Sequence, residues 1–251
     1  MRSLALLELD GVGVRFGGVV AVTDATFTVD DGRIVGLMGP NGAGKTTLFN
    51  VITGLQEPTT GRVRYQGRDI TDLAPRRRAR MGIGRTFQRL EVFGSLTVGE
   101  NIRVAAEMRG LDGPTAIRDA LLDRVGLRAF ADVPADSVPT GIARLTELAR
   151  ALACDPKLLL LDEPSSGLSD DETDDFKDLV RSLAEDDGRS VLLVEHDVEL
   201  VMSLCSTIHV LDFGHIIATG PPEQIAADKR VQDAYLGADT GAADDLEEVP
   251  A

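Results

Sequence analysis

Ile34-Val35-Gly36-Leu37-Met38 runs directly into Gly39-Pro40-Asn41-Gly42-Ala43-Gly44-Lys45-Thr46, and that junction decides the fold. An unbroken apolar run of this length reads as a buried strand. The residues from Gly39 to Thr46 match the pattern G-x-x-x-x-G-K-[ST], and a helical stretch from Lys45 stops at Gly54. Strand, glycine-rich turn and helix in that order are what the motif's mechanism requires. Glycines let the backbone wrap closely, so that its N–H groups point inward at phosphate oxygens. The start of the following helix adds partial positive charge. Lys45 is placed to bridge the β- and γ-phosphates, and Thr46 to coordinate Mg²⁺. Gly11-Val12-Gly13 opens like a dinucleotide fingerprint, but Phe16 stands where the third glycine belongs, so it is set aside.

Outward from this junction the pattern is consistent. Upstream, Ala25, Phe27 and Val29 alternate with Thr26 and Thr28, and Asp31-Gly32 supplies a turn, so the first thirty residues read as antiparallel strands. Downstream, Thr59-Thr60-Gly61 turns into Val63-Arg64-Tyr65. From Glu91 to Arg150 the pattern is helical, with candidates at 100–108, 116–125 and 142–153. Ile142, Leu145, Leu148 and Leu152 recur there as if on one helix face. Beyond Pro156, short apolar runs at 158–161, 191–194 and 208–211 alternate with helical stretches, which implies a mostly parallel sheet covered on both faces. The expected fold is α/β: a nucleotide-binding core with a mostly parallel sheet, an N-terminal antiparallel β-subdomain and an inserted α-helical subdomain at about 89–150.

Composition narrows the function. The chain has 251 residues, 27% of them charged, with a net charge of −15. That balance argues against nucleic-acid binding, which needs a basic surface to displace counterions, and the arginines at 76, 77, 78 and 80 read instead as a solvated helix face or a contact with a partner protein. No apolar run approaches the ~18–20 residues of a membrane span, and the start is too short for a signal peptide, so a cytosolic chain is expected. Cys154 and Cys205, each flanked by apolar residues, read as inert reduced thiols. Residues 238–251, acidic and rich in Gly and Ala, read as a disordered tail after a domain spanning 1–237.

Leu158-Leu159-Leu160-Leu161-Asp162-Glu163 is the second strong signal. An apolar strand ending in two adjacent carboxylates places them where α/β sheets present their ligands. Asp162 is suited to hold Mg²⁺ and Glu163 to orient or deprotonate an attacking water.

With both motifs in place, residues 4–237 resemble the ATP-binding subunit of ABC transporters. The resemblance implies further roles. Arg15-Phe16-Gly17 is similar to the aromatic loop that stacks on adenine. Thr86-Phe87-Gln88 is similar to the glutamine loop, with Gln88 reaching Mg²⁺ or the attacking water. Glu195-His196-Asp197 places His196 at the γ-phosphate, and Ser166-Gly167-Leu168-Ser169 resembles the loop that crosses to the partner subunit, with Ser169 where Asp or Asn is usual. The implied nucleotide set is Phe16, Gly39 to Thr46, Thr47 and Gln88. The catalytic pair is Glu163 and His196, and Thr46, Gln88 and Asp162 hold the metal. The chief departure is the signature, which packs on ATP held by the opposite subunit. Val138-Pro139-Thr140-Gly141-Ile142 replaces a sequence like L-S-G-G-Q, and Pro139 has neither hydroxyl nor N–H.

Stretches 15–22, 84–88 with 98–102, and 234–237 further resemble the ATP-binding subunits of branched-chain amino acid importers. This implies an ATPase powering import from the cytoplasmic face of the cell membrane. Its partners would be a second ATP-binding subunit, two transmembrane permeases and, indirectly, an extracytoplasmic solute-binding protein, with no nucleic acid. The alternatives are a urea or amide importer, an importer of another small polar solute, or a soluble ABC ATPase outside transport.

Overall fold

The N-terminal strands β1 (Ala5–Phe16) and β2 (Val19–Asp30) pair antiparallel, as the alternation at 25–29 predicts. This computed structural model describes residues 5–240; the expected tail lies outside them from 241 onward. β4 (Thr60–Tyr65) and the short β5 (Arg68–Asp69) complete a four-stranded antiparallel sheet in the order β2-β1-β4-β5. The second sheet has six strands in the order β10-β9-β3-β8-β7-β6. They are β3 (Ile34–Met38), β6 (Ile83–Arg85), β7 (Leu158–Asp162), β8 (Ser190–Val194), β9 (Thr207–Asp212) and β10 (His215–Gly220). All are parallel except β10, which turns back along β9 at the edge.

The helices follow from the connections. α1 (Lys45–Thr53) leaves the glycine turn and α2 (Pro75–Arg80) precedes β6. Next come α3 (Val98–Arg109), α4 (Pro114–Arg124) and α5 (Thr140–Leu152), the inserted helical subdomain. α6 (Asp170–Glu185), α7 (Val198–Leu204), α8 (Pro222–Ala227) and α9 (Lys229–Thr240) follow. α3 and α6 begin in capping boxes, Thr97 with Glu100 and Ser169 with Glu172, each satisfying two otherwise unpaired backbone donors.

Strand alternation divides the interior. Leu158 and Leu160 face a core shared with the antiparallel sheet and α1, including Leu9, Phe27 and Phe49. Leu159 and Leu161 face a second core covered by α5, α6 and α7, including Leu148, Phe176 and Val201. A third, smaller core joins α3, α4 and α5 through Val98, Ile102 and Leu122. The single apolar face expected of α5 is therefore split. Leu148 and Leu152 go to the sheet, while Ile142 and Leu145 pack, partly buried, on the helical core. α5 is the shared wall between the two units.

The arginines of α2 correct another expectation. Arg78 is not solvated: it is 1% exposed, and its guanidinium donates to the carbonyls of Val51 (2.6 Å), Ile52 (3.0 Å), Thr71 (2.6 Å) and Leu73 (2.8 Å). It closes the C-terminal end of α1, whose last carbonyls have no partners within the helix. Arg78→Met will take this donor from all four carbonyls, leaving Val51 only its bond from the Gly54 N–H, at a cost of about 3 kcal/mol or more, read as a lowered denaturant midpoint with an unchanged slope.

His209, 3% exposed, is structural. Its ring lies between β2 and β10, with Nε2 3.2 Å from the Thr28 carbonyl, Nδ1 3.0 Å from the Thr219 hydroxyl and the Phe27 ring 4.8 Å away. A carbonyl only accepts, so Nε2 carries the proton and Nδ1 accepts from Thr219. Burial pushes the imidazole below its usual 6.5. The unfolded chain then binds the extra proton first, so stability falls as pH drops below about 6.5. His209→Gln is expected to flatten that part of a stability-versus-pH curve measured by urea unfolding. Both cysteines are free, and burial pushes the Cys205 thiol up to about 12 and raises that of Cys154.

Candidate active site

The turn between β3 and α1 is shaped by glycine. Gly39 has φ 150°, and a Cβ there would stand 2.0 Å from the Leu211 carbonyl oxygen. Gly44 has φ 109°, and its Cβ would lie 2.6 Å from the Ala21 carbonyl oxygen. Neither position admits a side chain, because the backbone of β9 and of β2 presses against the turn there. The Ala43 N–H donates to the Pro40 carbonyl (3.2 Å) and the Gly214 N–H to the Ala43 carbonyl (3.0 Å), which fixes the curl. Lys45, 7% exposed, donates from Nζ to the carbonyls of Gly39 (2.6 Å) and Pro40 (2.9 Å). Burial lowers its pKa, while the nearby charges of Glu163 and Asp162 act to raise it. Thr46 is exposed at the helix start, with Thr47 half-buried behind it.

The acids sit where their strands end. β7 and β8 are parallel neighbours with Asp162 opposite Val194, so the residues just beyond them share one edge. Asp162 is 1% exposed; its Oδ2 accepts from Arg85 Nη2 at 3.0 Å and its N–H donates to the Thr86 hydroxyl at 3.3 Å. Burial raises its pKa and Arg85 opposes that shift. Glu163 adopts φ 49°, a left-handed conformation that non-glycine residues seldom hold, and its N–H donates to the Val194 carbonyl at 2.8 Å. This backbone turn aims its carboxylate out of the sheet. Gln88 Nε2 donates to Glu163 Oε2 at 3.2 Å, and His196 Nδ1 lies 3.8 Å from Oε1, beyond a hydrogen bond but within ion-pair reach. Gln88, Glu163 and His196, far apart in sequence, thus converge.

The other expected residues lie elsewhere. Phe16 is 50% exposed at the end of β1, so it is not a core phenylalanine. Pro139 caps α5 without a side-chain bond, Thr140 is exposed on its first turn, Gly141 is buried against the Glu172 carboxylate and Ile142 packs on the helical core. Among the described residues, no hydrogen bond joins this segment to the glycine turn. Its neighbour is the β7–α6 loop, where Gly167 lies against the Thr140 side chain.

Several residues around the site carry no sequence signal. Glu195, fully buried, accepts from the Ser165 N–H (2.8 Å), the Ser165 hydroxyl (2.6 Å) and the His196 N–H (3.2 Å), clamping the loop after β7 to the loop after β8. Arg144 on α5 donates to the carbonyls of Phe87 (3.1 Å) and Gln88 (2.7 Å), Glu147 accepts from the Phe87 N–H (3.1 Å), and Arg150 donates to the Glu91 carbonyl. The segment carrying Gln88 is therefore suspended from α5. Nothing local marks the charged residues of α5, because their partners lie about sixty positions away.

A glycine-shaped turn with a buried ammonium, facing a carboxylate flanked by an amide and an imidazole at the same end of a parallel sheet, is the arrangement of a P-loop ATPase. The ABC transporter family model matches residues 22–166, and that of the branched-chain amino acid ATP-binding cassette transporters matches residues 215–240. The high-affinity branched-chain amino acid transport ATP-binding protein BraF of Pseudomonas aeruginosa is 40% identical, covering 94% of this chain and 99% of the relative. The corresponding LivG of Salmonella typhimurium is 38% identical with the same coverage. Among solved structures, the ADP conformation of MJ1267, an ATP-binding cassette of an ABC transporter, has a TM-score of 0.83 at 28% identity, covering 93% of this chain and 99% of that one. The chain belongs to the ABC transporter family, as one of its ATP-binding, ATP-hydrolysing subunits.

Proposed function

We propose that this ATPase powers an importer of branched-chain amino acids from the cytoplasmic face of the cell membrane. In this reading it pairs with a second ATP-binding subunit and docks on two permeases supplied by an extracytoplasmic solute-binding protein. The observation that carries the ATPase part is the meeting of Gln88, Glu163 and His196 beside the Lys45 turn. The cargo rests on the likeness to BraF and LivG and on the match at residues 215–240. No helix of the described residues is long and apolar enough to cross a membrane, in keeping with a peripheral subunit.

The residues divide the work. The backbone N–H groups between Gly39 and Thr47 and the Lys45 ammonium bind the phosphates, and the exposed Phe16 ring offers a π-face to adenine. Thr46, Asp162 and Gln88 offer a hydroxyl, a carboxylate and an amide, the hard oxygen donors that magnesium takes. When bound there, magnesium neutralises charge on the β- and γ-phosphates. Glu163 orients the attacking water and accepts its proton, Gln88 and His196 hold that carboxylate in place, and His196 faces the γ-phosphate.

Two such domains closing head to tail would set each glycine turn against the other's signature. Pro139 lacks the hydroxyl and N–H of the usual serine, and a missing charge-assisted hydrogen bond weighs about 1.5–3 kcal/mol. With a partner that carries a full signature, the site built on Lys45, Glu163 and His196 turns over faster than the one closed by Pro139 to Ile142. Glu163→Gln here, and the matching change in the partner, made separately, are expected to reduce ATPase unequally; equal losses would remove the asymmetry. The cargo is tested by isolating the membrane complex through this chain and adding its solute-binding protein. Leucine, isoleucine or valine is expected to stimulate ATPase and urea to have no effect; the reverse would contradict the assignment.

A further inference from the structure

Arg85 serves two places at once. It forms part of the wall of a groove of about 640 Å³ between the sheet and the helical subdomain, alongside Phe87, Glu147, Arg150 and Cys154. It also reaches the catalytic end of the sheet, donating from Nη2 to Asp162 Oδ2 at 3.0 Å and from Nη1 to Asn50 Oδ1 on α1 at 2.6 Å. The rings of Phe49 and Phe87 lie over the guanidinium, their centroids 5.4 and 4.9 Å from it. The Arg85 and Asp162 side chains are 6% and 1% exposed, so the pair is removed from water and removing one partner strands a buried charge. Lys45 directs Nζ to the carbonyls of Gly39 and Pro40, which leaves Arg85 as the bonded cation of Asp162. Phe87, which covers Arg85, is held by Glu147 and Arg144 of α5.

We infer that Arg85 is a positioning residue linking the groove to the magnesium-binding carboxylate. Its planar fork holds Asp162 and Asn50 in one fixed relation, which a lysine cannot reproduce. Movement of the groove wall at Phe87 shifts the guanidinium and hence the orientation of Asp162; metal bound at Asp162 acts back on the groove by the same route, since such coupling is reciprocal. This rests on the ATPase reading above.

The test uses the full chain labelled with a bimane fluorophore at Cys154, the more exposed of the two cysteines and a residue of the groove wall. ATP is titrated with and without Mg²⁺, and bimane emission is recorded. In the wild type, Mg²⁺ is expected to tighten nucleotide binding about tenfold and to shift the emission. In Arg85→Gln, both magnesium effects are expected to vanish while magnesium-free affinity stays unchanged, and Arg85→Lys restores them only in part. A full magnesium effect and emission shift in Arg85→Gln, or no emission shift in the wild type, would overturn the inference. Should Arg85→Gln fail to fold, Arg85→Gln/Asp162→Asn is expected to fold because no charge is stranded; its failure would also refute the pairing. A wild-type chain that binds no nucleotide would instead refute the ATPase reading.

Discussion

Glu163→Gln will bind ATP and hardly hydrolyse it, with kcat falling about a thousandfold, inside the ~10²–10⁴ range of a lost general base. The substitution is nearly isosteric. The backbone bond from residue 163 to the Val194 carbonyl, which sets the strained φ of 49°, involves no side-chain atom and survives. The amide oxygen can still accept from Gln88 Nε2, but the amide cannot take a proton from water. Nucleotide affinity, which depends on the glycine turn and Lys45, is expected to stay within about threefold of wild type. Phosphate release and equilibrium binding measured on one preparation check both halves. A fall in kcat of less than tenfold would move the proton acceptor away from Glu163.

Gly39→Ala has the second large effect, through sterics. The added carbon would sit 2.0 Å from the Leu211 carbonyl oxygen and 3.4 Å from Ala43 Cβ, and neither the backbone of β9 nor a Cβ is a flexible end that can give way. The turn must open, moving the Lys45 acceptors at Gly39 and Pro40 and the N–H groups that line the cradle. A loss of about 3 kcal/mol, roughly a hundredfold in nucleotide affinity, is expected. Gly42→Ala makes the comparison. Gly42 also has positive φ, 79°, but its Cβ would meet nothing within 4 Å, so only the conformational strain of about 1 kcal/mol applies. Calorimetric titration of both variants with ATP is expected to separate them by at least tenfold; equal losses would show that close packing at Leu211 is not what shapes the turn.

What was legible in the sequence is what local pattern encodes. β3, the glycine turn and α1 form one continuous signal, and the observed helix runs Lys45–Thr53 with Gly54 as its left-handed cap, as read. The apolar runs at 158, 191 and 208 became parallel strands of one sheet, the first two side by side and the third across β3 from them, and alternation along them feeds two cores at once. Asp162, Glu163 and His196 stood out in the sequence because each closes or follows an apolar run, and the parallel pairing of those strands puts them at one edge. The buried ionic framework was hidden. Arg78 looked solvated because nothing local marks it; its acceptors are carbonyls at 51 and 52, closed by a fold that α2 enters only later. Arg85, Arg144, Glu147 and Glu195 were missed for the same reason. Each finds its partner across the sheet or the subdomain boundary, and charge alone does not reveal burial.

The measurement that tests the central claim most directly is equilibrium binding of ATP, ADP and AMP to the purified full chain, with Lys45→Ala beside it. A cradle built for phosphates predicts one nucleotide per chain, ATP and ADP held far more tightly than AMP, and the preference lost with Lys45. Equal affinity for all three, or binding indifferent to Lys45→Ala, would contradict the account.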